Sequence, residues 1–357
     1  MGSGVLELPK GRAWKIGRSR LCRSNTDSAR LSSPPDAEIS PPGQSPHQLP
    51  SRILLSAVAL SLIALTTFGQ LPGSSKFYIT LQNSLHAPMF AVLAIIFLRI
   101  GTRADGAPSL HACLWSWLSC LITGIAIEFI QSRLGGDASA LDVFDDVLGA
   151  TGALTAYASL HTRIYSARIG LRCVSVGAVL VAVAPLCFSL AAYANRALRF
   201  PTVAAFSSSL DLYFLEDRGG TIGISALPEN LSKGKVGRAL SVVLPQAHWP
   251  GIEIAEPSPD WSRYRTLNIE MANPGQASLP INIRVHDRAH NWRWEDRFNT
   301  SEQLPASSRH IVRLPLAMIE CSPRGRAMDM RHIASIIIFT DAMQAGRKVF
   351  LVRVWLD

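Results

Sequence analysis

Cysteine is scarce and poorly placed for crosslinking: the 357 residues hold only six. Cys113, Cys120, Cys173 and Cys187 lie in or beside long apolar runs, Cys22 precedes them, and only Cys321 falls in the C-terminal part. That part therefore has no disulfide framework, and no pair of cysteines has metal-ligand spacing. No Ser elbow, P-loop or HExxH pattern is present, so no motif names a cofactor or a reaction. Charged residues make up only 17%, with a formal net charge of +9. No basic stripe interleaved with aromatics accompanies that excess, which argues against a nucleic-acid partner. Internal repeats are absent.

What is abundant is apolar sequence, confined to one region. A membrane span needs roughly 20 apolar residues to cross about 30 Å of hydrocarbon. Five stretches meet or approach this: Ile53–Leu71, Ile79–Ile100 (with Pro88), His111–Gln131, Leu141–Leu160 and Leu171–Ala194. The fourth is the weakest, because it opens on three acids. The first is too long, and too far from residue 1, for a cleaved signal peptide, so an anchoring helix is the better reading.

Orientation follows from Lys and Arg near the span ends. Lys10, Arg12, Lys15, Arg18, Arg20, Arg23, Arg30 and Arg52 precede the first span. Arg99 and Arg103 follow the second, and Arg163, Arg168 and Arg172 follow the fourth. The alternate loops hold only Lys76 and Arg133. The charges predict a cytoplasmic N-terminus and an external C-terminus in a multi-pass plasma-membrane protein. Residues 1–51, rich in Ser, Pro and Arg, read as a disordered cytoplasmic tail or an over-extended gene start, and both readings stay open.

After Arg199 the texture changes to short alternating segments: Arg265–Met271, Pro280–Asp287, Arg309–Leu316, His332–Thr340 and Lys348–Leu356. Strands at this spacing predict an antiparallel sandwich or jelly roll over 200–357. Within it, the stretch from Arg284 to Asn299 is dense in aromatic, acidic and basic groups. Rings stack on pyranose faces while Asp, Arg and Asn bond hydroxyls, so Asp287, Arg288, Trp292, Trp294, Asp296 and Arg297 are candidate ligand-binding residues. Trp249 and Trp261 are candidate extensions of that platform. The alternative is that the tryptophans are core and the Asp–Arg pairs lock the sheet edge.

The second constellation lies inside apolar sequence. Glu128 and Gln131 share a face at the end of the third span, and Asp142, Asp146 and Gly149 share one at the start of the fourth. Carboxylates in or beside a bilayer cost several kcal/mol, about 2.5–3.5 on insertion scales, unless they face protein or water. Asp145 falls off the shared face and reads as a solvated charge. With His86 at the same end of its span, Glu128, Gln131, Asp142, Asp146 and His86 are the candidate catalytic residues. Such a group can hold a hard cation, relay a proton, bind a polar head group or perform acid–base chemistry. Gly149 and Gly152 offer surfaces for close helix approach.

Gly124 to Gln131, then Asp137-Ala138-Ser139 and Asp142-x3-Asp146-x2-Gly149-x2-Gly152, with His86 upstream, resemble the VanZ-like membrane proteins over about residues 52–165. Two positions depart from the family: Asp146 stands where Asn is usual, and Gly136 where Arg is usual, leaving Arg133 as a candidate replacement cation. The resemblance implies a bacterial-envelope protein without fixing a reaction. The C-terminal part, about 236–357, is similar to the galactose-binding-like jelly rolls of carbohydrate-binding modules in Trp261-Ser-x-Tyr264, Asp287-Arg288, Asp296-Arg297-Phe298-Asn299 and the closing Val349–Leu356 strand. Together these imply a helical membrane domain (52–195) and an external β-sandwich (200–357) engaging envelope glycan or a lipid-linked saccharide. The second reading is an intramembrane enzyme acting on a lipid-linked saccharide through Glu128 and Asp142. A proton-coupled carrier is disfavoured, because the acids sit at one end of the helices and not at the midplane.

Overall fold

The computed structural model describes residues 48–102, 109–135, 138–219, 221–232 and 237–357. The basic tail up to residue 47, and Gly136 and Asp137 of the acidic segment, lie outside the described residues.

Six helices come first: α1 (Gln48–Phe68), α2 (Lys76–Ser84), α3 (His86–Gly101), α4 (Leu110–Arg133), α5 (Ala140–His161) and α6 (Tyr165–Arg199). Among the described residues, four stretches are long and apolar enough to cross a membrane: Ser51–Phe68, Lys76–Gly101, Leu110–Arg133 and Tyr165–Arg199. Ile53, Leu60, Leu114, Ile122, Val174 and Leu180 all point outward, as expected where the surrounding medium is apolar. The expected fourth span forms α5, but it does not reach that hydropathy. Its acids and its small Gly, Ala and Thr residues dilute it. It packs against α3, α4 and α6, so its polar face meets protein.

Lys76–Gly101 is interrupted at Leu85. Pro88 is the third residue of α3, in the first turn, where a missing N–H leaves no helical bond unmade. Its ring cannot tolerate a helix running straight through from α2, so the chain restarts at His86. At Gly149 a Cβ would stand 1.9 Å from the Ala87 carbonyl oxygen. The contact of α3 with α5 is therefore backbone against backbone, and only glycine fits. Ser116 donates to the Ala94 carbonyl at 2.6 Å and Trp117 to the Thr151 hydroxyl at 3.0 Å, tying α4 to α3 and to α5.

The remainder is an antiparallel sandwich. One sheet runs β3 (Thr221–Ala226), β4 (Arg238–Val243), β11 (Lys348–Leu356), β6 (Thr266–Asn273), β9 (Ser308–Pro315), with β1 (Thr202–Ala204) also on β11. The other runs β2 (Leu215–Arg218), β5 (Gly251–Ala255), β10 (Ile333–Phe339), β7 (Leu279–Asp287), β8 (Phe298–Leu304). Alternation buries Leu267, Ile269 and Met271 of β6 against Ile281, Ile283 and Val285 of β7 in one core. The other edge of that alternation turns Arg284, His286, Glu253 and Ser335 to the outer face of the second sheet.

The sandwich is seated on α2 and α6. Glu256, just past β5 and with a left-handed φ of 49°, accepts from the Lys76 backbone N–H at 2.6 Å and from the Tyr193 hydroxyl. Arg196 donates to the Ala255 carbonyl at 3.0 Å and lies over the Phe214 ring at 3.4 Å. Lys76 also pairs with Glu216 of β2 at 3.3 Å.

Candidate functional site

Among the helices, His86 Nδ1 lies 3.0 Å from Asp146 Oδ1. Ser139, which caps α5, donates its backbone N–H to Glu128 Oε2 at 2.6 Å, clamping the end of α4 to the start of α5. His86, Glu128, Asp142 and Asp146 are all buried, Asp146 to 1% exposure. Glu128 Oε1, Asp142 Oδ1 and Asp146 Oδ2 are buried with no hydrogen-bond partner among the described residues. A Cβ on Gly124 would meet Asp146 Oδ2 at 2.5 Å, so that glycine makes room for the carboxylate. Asp145 is half-buried, off the shared face.

Gln131 does not join this group. It reaches to α1, donating to the Thr66 and Thr67 carbonyls at 3.3 and 3.4 Å, because a face shared along α4 still fans outward between two neighbours. Arg133 is exposed and stacks on Phe129 of its own helix at 4.9 Å. Among the described residues, no three His, Cys, Asp or Glu side chains are arranged to hold a metal ion.

The second place is a cleft of about 850 Å³ at the seam of the two halves. Its helical wall is the loop before α2, with Lys76 and Tyr193. Its sandwich wall includes Glu253, His286, Arg288 and Trp292. His286, His290 and Trp292 form one aromatic group, with ring centroids 4.8 to 6.2 Å apart. Trp292 is 81% exposed and held at φ 65°, a left-handed backbone that a bulky side chain rarely adopts. His286 is only 8% exposed, yet its Nδ1 has no partner among the described residues. Burial, with His290 and Arg284 beside it, pushes its pKa down to about 4. At neutral pH this imidazole is uncharged and keeps hydrogen-bonding capacity that the described protein does not use.

The other candidates of that loop divide by role. Arg288 is exposed on the cleft, its backbone N–H donated to the His332 carbonyl at 3.0 Å. Trp294 is 64% exposed and lies under Arg297 at 4.7 Å. Asp287 and Asp296 are buried and share one guanidinium. Arg326 donates to Asp287 at 2.6 and 2.9 Å and to Asp296 at 2.5 Å. Arg326 also holds the Asp296 carboxyl down to about 2. Burial opposes ionisation of Asp287, but Arg326 and the Asp329 N–H keep its pKa below the usual carboxylate range. Their geometry is that of a loop lock. Trp261 corrects the expectation of an extended platform: it is 0% exposed in the sandwich core, its Nε1–H satisfied by the Ser258 carbonyl at 2.7 Å. Trp249 is exposed, edge-on to Phe339.

Sequence spacing pointed to the loop but missed most of the outer sheet face. The row Glu253–Ile337–Arg284–Asn299 crosses four strands in register. Its alternation within β7 was the available signal.

No family model matches the chain, and no curated protein matches it at a significant level. Solved structures do align with part of it. A family 11 carbohydrate-binding module from Clostridium thermocellum, in complex with a beta-1,3-1,4-mixed-linked tetrasaccharide, aligns at TM-score 0.32 and 16% identity, covering 43% of this chain and 93% of the module. A family 22 xylan-binding domain aligns at 0.29 and 10%, covering 43% and 90%. An exo-beta-agarase aligns at 0.34 and 15%, and the chain spans only 23% of its length.

Proposed function

We propose that this chain is a VanZ-like, multi-pass protein of the bacterial envelope membrane whose external sandwich binds envelope glycan or a lipid-linked saccharide. The observation that carries the reading is the seam cleft. It opens where the apolar helices end, and its sandwich wall offers an exposed ring, Trp292, beside the imidazole of His286, whose buried Nδ1 has no hydrogen-bond partner among the described residues. A ring stacks on a sugar face, and a neutral imidazole bonds its hydroxyls. A site walled on one side by helix ends suits a saccharide whose lipid lies in the membrane.

Binding is tested with the full chain in nanodiscs, titrated with a polyprenyl-linked saccharide and read by tryptophan fluorescence. Saturable change that Trp292→Ala removes is the expected result. An unresponsive protein, or a response that Trp292→Ala leaves intact, overturns the reading. Reporter fusions after residues 50 and 200 test the orientation: the first belongs in the cytoplasm, the second outside. Both on one side would move the sandwich to the cytoplasm.

One observation favours the second reading, an intramembrane enzyme: three buried carboxylate oxygens, on Glu128, Asp142 and Asp146, have no hydrogen-bond partner among the described residues, and Asp146 meets His86. In that case Glu128→Gln and Asp142→Asn abolish turnover of the lipid-linked saccharide, whereas Asp145→Asn retains it. Equal loss in all three returns the acids to an interfacial role.

A further inference from the structure

The outer face of the second sheet carries positive charge that the described protein leaves unused. Arg284 on β7 and Arg297 at the start of β8 each have a buried Nε without a hydrogen-bond partner among the described residues. Arg284 lies over the Phe339 ring at 5.3 Å and Arg297 over the Trp294 ring at 4.7 Å, so aromatic planes hold both guanidiniums. Asn299, which pairs with Arg284 across β7 and β8, has a buried Oδ1 with no hydrogen-bond partner among the described residues.

The nearby acids are already engaged. Glu253 takes Arg218 at 3.1 Å and Ser335 at 2.6 Å, and Glu216 takes Lys76. The crowding of like charge is felt: burial, with Arg297 and Arg218, lowers the Arg284 pKa to about 10 despite Glu253. A protein keeps partly buried guanidiniums without carboxylates at a cost, and their planar fork is matched by carboxylate or phosphate oxygens.

We propose that this sheet face is an anion subsite, and that the saccharide it receives is acidic, carrying a uronate carboxylate or a phosphate between Arg284 and Arg297. The inference rests on the glycan reading above and narrows its ligand class. Arg284 and His286 are alternate residues of β7, so the subsite continues from the cleft along the sheet. A saccharide chain entering at the seam brings its acid to the arginines, its rings to Trp292 and Trp294, and a hydroxyl to Asn299.

The test uses the full chain in phosphatidylcholine nanodiscs, which hold no net-anionic headgroup to compete. A panel pairs soluble uronate- and phosphate-bearing oligosaccharides with neutral counterparts, the uronates carboxyl-reduced. The acidic members should bind about tenfold more tightly, as expected of charge-assisted fork contacts. That preference should shrink as NaCl rises from about 0.05 to about 0.5 M. Arg284→Gln and Arg297→Gln should each remove it, and Arg284→Lys should keep part. Equal binding of acidic and neutral members overturns the inference and leaves the glycan reading standing. Binding of no member overturns both. If Arg284→Gln proves unfolded, the salt dependence and acid preference of the unaltered chain decide.

Discussion

Tyr193, six residues before α6 ends, donates its hydroxyl proton to Glu256, just past β5. The same hydroxyl accepts the Phe77 N–H at 3.2 Å, so one phenol joins α2, α6 and the sandwich. Tyr193→Phe keeps the ring and removes both bonds. Amide exchange at Lys76 and Phe77 should rise several-fold, while the sandwich core strands stay as protected as before. Unchanged exchange at the seam would mean that Arg196 and Lys76 seat the sandwich without the phenol.

The tryptophans separate by burial. Trp292→Ala and Trp294→Ala should each change stability by no more than about 0.5 kcal/mol, as surface substitutions do. Trp261→Ala should cost about 3–5 kcal/mol, the range for large aromatic truncations in a core. Chemical denaturation followed by near-ultraviolet circular dichroism measures all three.

Acid should unfold the sandwich in two windows. His286 titrates ordinarily near 6.5 and is lowered to about 4. Between those values the unfolded chain binds more protons, so stability falls as pH drops through them. Asp296, lowered from 3.8 to about 2, adds a second loss as pH falls through that range. His286→Gln should flatten the first window and leave the second. Arg326→Ala should narrow the second, since the Asn291 N–H still reaches Asp296, and, by stranding two buried carboxylates, cost about 3 kcal/mol at neutral pH. Melting temperature against pH reads both.

Gly149→Ala should lower the stability of the detergent-solubilised chain by about 1–3 kcal/mol, the usual cost of overpacking. Gly177 has nothing within 4 Å of an added Cβ, so Gly177→Ala serves as the control and should be nearly silent.

Strands with long alternation were legible: β6, β7, β9, β10 and β11 fall within a few residues of the segments read from sequence. Strands β2 to β5 were not. β2 is four residues long, β5 opens on Gly251, and β3 has no buried face of its own. The break at Leu85 was hidden because Pro88 in a first turn leaves hydropathy unchanged. In the site, the shared face of Asp142 and Asp146 was read from helix spacing and His86 was placed only by its end of the span, so the His86–Asp146 contact at 3.0 Å comes from the packing of α3 on α5. The loop lock did not, because Arg326 lies 30 residues beyond Asp296 and 39 beyond Asp287. Trp261 and Trp292 look alike in one dimension, and only their neighbours decide which is core.

Helix α6 ends at Arg199 and β1 begins at Thr202. Two residues between them leave no leash. A module on a long flexible tether samples a volume and meets its ligand at an effective concentration that falls with tether length. Here that search is replaced by a fixed bearing: the cleft and the arginine face keep one height and one heading relative to the helix ends. On the glycan reading proposed above, a saccharide presented at that height would be met face-on, and one lying farther out would not be sought. In this arrangement α6 acts as a gauge of distance as well as an anchor.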